Sequence, residues 1–137
     1  MDGMFTGCLR FNGRLGGWDV SRVVTMEAMF GQAENYTGEG IWSWDVSSVA
    51  NFRYTFWGAT AFHGDLSGWD VSSATDLSYT FAFASSFDSD IGCWDVSRVT
   101  AMSGILLNAG SFKQDLSRSR VRLHACRAIR KLFAAAA

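Results

Sequence analysis

Trp-Asp-Val-Ser stands at residues 18–21 and recurs at residues 44–47, 69–72 and 94–97. The four tryptophans are 26, 25 and 25 residues apart, a regularity that indicates an internal repeat. Two other positions recur in step with them: an aromatic residue seven or eight positions before the tryptophan, and an aliphatic residue three positions before it. The aromatic positions are Phe11, Tyr36, Phe62 and Phe87, and the aliphatic ones are Leu15, Ile41, Leu66 and Ile91.

A second pattern follows each tetrapeptide. Apolar residues spaced i, i+3, i+4 and i+7, as on one face of a helix, occur at Met26, Met29, Phe30 and Ala33. The later copies keep this spacing, with threonine at the second position in two of them, Thr55 and Thr80. The stretch from the aliphatic residue to the valine predicts a short strand. Together these patterns predict an α/β, leucine-rich-repeat-like solenoid of about five 25-residue coils, each with one short parallel strand and one short helix.

The repeat pattern covers residues 1–117 and a tail covers residues 118–137. Residues 1–10 fit the second half of a repeat, so we expect an incomplete first repeat in a fragment of a longer array. Residues 1–117 carry 13 acidic and six basic residues, whereas the tail carries six basic residues and no acidic one. The tail predicts a helix that caps the solenoid. There are two alternatives: the tail contacts an anionic surface, or it is not native coding sequence.

Several classes of protein do not fit the composition. The sequence contains no run of 18 apolar residues, so we expect no membrane span. The first residues do not have the pattern of a signal peptide. We expect Cys8, Cys93 and Cys126 to be free thiols, because an odd count at irregular spacing is typical of neither disulfides nor zinc. The sequence contains no motif for a cofactor, and nucleic acid is not an expected partner.

The repeated tryptophans and aspartates form the predicted structural ladder. Core packing is the favoured role for the tryptophans, and stacking on carbohydrate is the alternative. The aspartates are expected to accept hydrogen bonds from the following turn, with calcium binding as the alternative. Because every copy is alike, we expect no catalytic and no metal-binding residue, and a polysaccharide-cleaving enzyme is not favoured. The ladder comprises Trp18, Trp44, Trp69, Trp94, Asp19, Asp45, Asp70 and Asp95.

Three large apolar residues, Trp42, Trp57 and Phe83, fall outside the repeated apolar positions. A large apolar side chain at a variable position is a better candidate for an interaction surface than one that recurs in every copy. The filling of local gaps in the core is the alternative interpretation.

The pattern of the first copy, with Phe11-Asn12, Trp18–Ser21, Thr25-Met26 and Met29-Phe30, resembles the 26-residue repeat of BspA-like bacterial surface proteins. The resemblance covers residues 1–117 and implies a cell-surface or extracellular location and the binding of a partner, with no catalytic residues. We therefore expect a non-catalytic repeat module for interaction or adhesion with a protein or glycan. A purely structural spacer within a longer array is the alternative.

Overall fold

A computed structural model describes residues 1–116 of the chain. Within that range the regular elements are one 3-10 turn, Ile41–Ser43, and three isolated parallel bridges. The predicted α/β, leucine-rich-repeat-like solenoid with one strand and one helix per coil is therefore wrong. The bridges join Thr25 to Asn51, Asn51 to Asp76, and Asp76 to Ala101.

Each repeat is instead a succession of reverse turns, in which an amide donates to the carbonyl three residues earlier. In the segment predicted as a helix, Met29 donates to Met26 and Ala33 donates to Phe30, over 3.0–3.1 Å. The segment predicted as a strand is closed by a turn as well, because the Trp44 amide donates to the carbonyl of Ile41. The same turn recurs between Trp18 and Leu15, Trp69 and Leu66, and Trp94 and Ile91.

The alternate amides of the predicted helix donate to the neighbouring repeat. Met26, Ala28, Phe30 and Gln32 donate to the carbonyls of Asn51, Arg53, Thr55 and Trp57, respectively. These amides are therefore not available for the bond to residue i−4 that defines an α-helix. Ala28 and Gln32 also have φ values of 52° and 57°, which a right-handed helix does not allow. The helical spacing identifies the buried side chains correctly and the backbone wrongly.

Two columns of stacked aromatic rings form the core between the repeats. Neighbouring ring centroids are 5.4–5.7 Å apart in the first column and 5.5–6.1 Å apart in the second. Each fully buried phenylalanine contributes about 1.5–3 kcal/mol. One repeat cannot bury its own rings, so each repeat is stabilised by its neighbours. The first column is Phe5, Phe30, Phe56 and Phe81, and the second is Phe11, Tyr36, Phe62, Phe87 and Phe112.

Repeats are numbered here from the first complete one, which contains Trp18. The second repeat has one extra residue, because five positions separate Tyr36 from Ile41 and four separate Phe11 from Leu15. This residue lies in the segment 37–40 and leaves the stacking intact. Gly38 and Gly40 have φ values of 89° and 90°, in the region that favours glycine. Their missing side chains let this loop lie against neighbouring repeats, since a Cβ at Gly40 would be 2.8 Å from the Gly16 amide nitrogen. The loop is therefore held against the stack and does not bulge from it.

The remaining expectations about the chain have mixed outcomes. Cys8 and Cys93 are free and exposed, as expected. Cys126 and the predicted cap at 118–137 lie outside the described residues. In the part of the chain that the structure describes, no helix has the length and hydropathy needed to cross a bilayer.

Candidate functional site

The ladder tryptophans are buried, apart from the first. Trp44, Trp69 and Trp94 each donate an indole N–H to the carbonyl of the aliphatic residue one repeat earlier, at 2.9–3.0 Å. The equivalent acceptor for Trp18 would fall before residue 1, and this side chain is 40% exposed. Three of the four tryptophans are therefore packing residues, and none of those three presents a face to a ligand.

The ladder aspartates are exposed and accept local hydrogen bonds. Oδ1 of Asp19 accepts the Ser21 amide at 3.0 Å and the Ser21 hydroxyl at 2.6 Å, and Asp45 is bonded to Ser47 in the same way. The serine hydroxyl, followed by the serine amide, lowers the pKa of both carboxyls. Asp70 and Asp95 also accept the serine amide two residues later. These contacts fix turns, and they provide no carboxylate in a distinct environment.

A metal centre is not found in the described range. No three His, Cys, Asp or Glu side chains among residues 1–116 are grouped so that they could hold a metal ion. This finding gives the calcium alternative no support from geometry.

The three variable apolar residues belong to two separate surfaces. Trp57 and Phe83 line one open groove, whereas Trp42 lines a different pocket. The groove has a volume of about 370 Å³, within the range of small-molecule sites. The groove, called here the aromatic groove, is lined by Thr6, Ala28, Gly31, Tyr54, Trp57, Tyr79, Phe83 and Leu107.

Tyr54 and Tyr79 are at the centre of the aromatic groove. Their rings stack with centroids 5.2 Å apart and an interplanar angle of 13°. Trp57 meets Tyr54 edge-on at 6.0 Å, and the Arg53 guanidinium lies 4.9 Å above the Tyr54 ring. A hydrogen bond with Tyr54, together with the nearby charges of Glu27 and Asp76, raises the pKa of Arg53. The groove thus contains three aromatic rings in contact with one another, and one cation lies at its edge.

The backbone beneath these rings has an unusual conformation. Tyr54, Tyr79 and Phe83 have φ values of 58°, 56° and 60°. A bulky residue in this left-handed region costs roughly 1–2 kcal/mol relative to the right-handed one. The equivalent positions in other repeats are Gly3, Ala28 and Gly104 for the tyrosines, and Gly7, Gln32, Gly58 and Asn108 for Phe83. The fold alone does not require an aromatic residue at any of these positions.

Sequence reasoning identified Trp57 and Phe83 but missed Tyr54 and Tyr79. Both tyrosines lie on the polar face of the predicted helices, outside the apolar i, i+3, i+4 and i+7 positions from which the buried residues were predicted. The sequence feature that could have identified them is the presence of glycine, Gly3 and Gly104, at the equivalent position of the first and last copies. A position where glycine alternates with a large aromatic residue does not belong to a regular helix. Glycines four residues apart, such as Gly3 and Gly7, are also unfavourable within a helix.

The fold defines a tandem-repeat protein built from stacked, turn-rich repeats. The chain belongs to the family described as Mycoplasma protein of unknown function, DUF285, whose model matches residues 1–66 and 36–137. Comparisons with curated proteins and with solved structures gave no match.

Proposed function

We propose that this chain is a non-catalytic interaction module that binds a protein segment in the aromatic groove. The observation that carries the proposal is the convergence of three bulky aromatic residues with left-handed backbone on one exposed groove. Local strain of this kind persists where the surrounding structure maintains it and is concentrated at functional sites. Phe83 is 44% exposed, so its burial in the core does not explain the strain.

The chemistry of the groove favours a peptide over a sugar. Thr6, Tyr54 and Tyr79 carry hydroxyls, but the lining that the groove exposes is mainly apolar, and the other five residues offer a ring, an aliphatic group or a glycine. Most hydroxyls of a sugar would lose water there and gain few partners, which is costly. Apolar side chains of a protein would lose little. The groove is lined by residues of five repeats and so crosses four spacings between them, roughly 19 Å at the spacing of parallel strands, which is the length of about six extended residues.

Charge favours a basic partner. Residues 1–116 carry 13 acidic and six basic residues, and Glu27 and Asp76 lie near Arg53 at the edge of the groove. A negative surface attracts cationic segments and speeds their association at low salt. The expected ligand is therefore an extended, basic segment with apolar side chains. The resemblance to bacterial surface-protein repeats supports a location at the cell surface, where such a module would meet its partner.

A peptide library displayed on phage and selected against the purified protein tests the proposal. We expect enriched peptides to combine aromatic or aliphatic residues with lysine or arginine, and to bind more weakly as salt is raised. Phe83→Asn copies the residue of the last repeat, Asn108, and suits a positive φ. This variant should bind the selected peptides at least tenfold more weakly in calorimetry, with an unchanged or higher melting temperature.

The matched control is Trp42→Ser, which removes the exposed tryptophan outside the groove and should leave peptide binding unchanged. The proposal is overturned if no peptide is enriched, or if Phe83→Asn binds the selected peptides as tightly as the original chain. Either result would favour the alternative of a structural spacer.

A further inference from the structure

A second pocket lies beside the second repeat and shares no lining residue with the aromatic groove. Its volume is about 330 Å³. It contains the inserted loop, which is the one place where the second repeat is longer than the others. The pocket, called here the Trp42 pocket, is lined by Thr37, Gly38, Glu39, Gly40, Trp42, His63, Gly64 and Asp65.

Trp42 is presented to solvent by a well-anchored backbone. It is the middle residue of the 3-10 turn Ile41–Ser43, and the preceding residue of that turn, Ile41, is fully buried. The indole is nevertheless 67% exposed, the highest fraction among the large apolar side chains of residues 1–116. The equivalent residues of the other repeats are Gly16, Ser67 and Gly92, so the fold does not need a side chain of this size.

Polar groups line the same pocket as the exposed indole. Glu39 forms an ion pair with Arg14 of the first repeat, with 3.0 Å between Oε1 and Nη2. Oδ1 of Asp65 accepts the Ser67 amide at 2.9 Å, and this bond is the main reason that the pKa of Asp65 is lowered. His63 Nδ1 lies 2.8 Å from the carbonyl of Ala61, which can only accept. In the neutral ring Nδ1 therefore carries the proton and Nε2 is an acceptor.

The Trp42 pocket combines one exposed indole with polar side chains, whereas the aromatic groove is mainly apolar, so the two sites favour different ligands. A flat, exposed indole offers a surface for the apolar C–H face of a ring, while carboxylate and imidazole acceptors suit hydroxyl donors. A sugar presents both kinds of group. Two carboxylates, Glu39 and Asp65, line the pocket, and the cation Arg14 is paired with Glu39, so the local charge is negative and disfavours acidic sugars.

A quaternary ammonium ion is the competing ligand, because cations also bind to indole faces. Recognition of such ions uses a cage of several aromatic rings. Trp42 is the one aromatic side chain, apart from the His63 imidazole, among the residues that line this pocket. We propose that the Trp42 pocket binds a saccharide that carries no acidic group, with one sugar ring stacked on the indole of Trp42 and its hydroxyls bonded to Glu39 and Asp65.

The test is an NMR titration of the full chain with ¹⁵N-labelled tryptophan, so that each indole N–H is observed separately. The probes are a neutral glucose oligosaccharide, an N-acetylglucosamine oligosaccharide, a sialylated oligosaccharide and choline. We expect one or both of the uncharged oligosaccharides to shift the Trp42 signal, and the sialylated one to bind at least tenfold more weakly. The Trp69 signal should stay in place, because that indole is buried and bonded to Ile41.

Two variants separate the parts of the proposal. Trp42→Ser copies Ser67 of the next repeat, so it should fold with an unchanged melting temperature and lose at least tenfold in affinity for the sugar. Glu39→Gln keeps a hydrogen-bond acceptor but removes a charge, so it should reduce the discrimination against the sialylated sugar. Phe83→Asn should have no effect on sugar binding, which makes failure here distinguishable from failure of the peptide proposal.

Several results would overturn the saccharide proposal. These are no shift of the Trp42 signal with any oligosaccharide, a shift with choline alone, equal affinity for the sialylated and neutral sugars, and unchanged sugar binding in Trp42→Ser. A shift of the Trp57 signal in place of Trp42 would move sugar binding to the aromatic groove and would also contradict the assignment of that groove to peptides.

Discussion

Tyr36 occupies a column of buried aromatic rings in which the other members are phenylalanines. Its ring stacks on Phe30 with centroids 4.3 Å apart, and the residue is fully buried. The Tyr36 hydroxyl has no hydrogen-bond partner among the described residues. Burial raises the pKa of this phenol well above its ordinary value. The Tyr36 ring therefore stabilises the column by stacking, whereas its buried hydroxyl destabilises the fold.

Replacing Tyr36 with phenylalanine should therefore stabilise the protein. The change keeps the stacked ring and removes a buried polar group whose desolvation costs about 1–3 kcal/mol. We expect the free energy of unfolding, measured by urea titration, to rise by roughly 1 kcal/mol, since part of the penalty is offset by packing around the oxygen. Phe62→Tyr, one repeat further along the same column, is the reciprocal variant and should destabilise. Equal or lower stability of Tyr36→Phe would mean that the hydroxyl has a partner.

The three buried ladder tryptophans help to link one repeat to the previous one through their side chains. Trp44, Trp69 and Trp94 each donate to a carbonyl 28 or 29 residues earlier. Stacking of the Trp44 and Trp69 rings, with centroids 6.4 Å apart, adds to this link. Trp18 has the same sequence environment and lacks the bond, so the chain provides its own control.

Trp69→Ala should cost about 3–5 kcal/mol of stability, because it leaves a cavity and removes the donor to the Ile41 carbonyl. Trp18→Ala should cost under about 1 kcal/mol, because that side chain is substantially exposed. Urea unfolding followed by circular dichroism measures both. Equal losses for the two variants would contradict the assignment of the ladder to the buried tryptophans alone.

At the scale of elements, the helical spacing predicts which residues are buried but does not predict the backbone conformation. Met26, Met29, Phe30 and Ala33 are all buried, as an i, i+3, i+4, i+7 pattern predicts. A series of reverse turns buries the same four positions, because its turns also bring residues three apart together. The choice between the two depends on whether the alternate amides bond within the repeat or to the next one, and composition does not determine that. The sequence feature that points to turns is the recurrence of glycine at the two repeated positions where the structure has positive φ values.

The candidate sites were predictable to a similar degree. The departure of Trp42, Trp57 and Phe83 from the repeated apolar positions identified them as candidates for an interaction surface. The sequence did not reveal that Trp42 lies apart from the other two, because their separation depends on how the turns orient each repeat. It also did not reveal that Trp57 and Phe83 share their groove with two stacked tyrosines.

At the scale of the whole molecule, the repeats place similar charges along one stack. Residues 1–116 have an excess of seven acidic groups. The nearby Asp19 carboxylate raises the pKa of Asp45, although its hydrogen bonds with Ser47 lower the pKa more. The pKa values of Asp19, Asp45 and Asp65 are all lowered on balance, each by bonds with a serine two residues later. The turns that these bonds close therefore prefer the charged carboxylate.

Stability should consequently fall in acid. Where the folded pKa of a carboxyl lies below its unfolded value, near 3.9, the unfolded chain binds the proton first, and stability decreases as the pH falls through that region. We expect the melting temperature to be nearly constant from about pH 7 to about pH 5 and to drop below about pH 4. A triple variant with asparagine at positions 19, 45 and 65 keeps an acceptor oxygen in each turn and has no proton to bind there. Its drop should be smaller than that of the original chain, whereas identical melting profiles would mean that these three turns do not govern the response to acid.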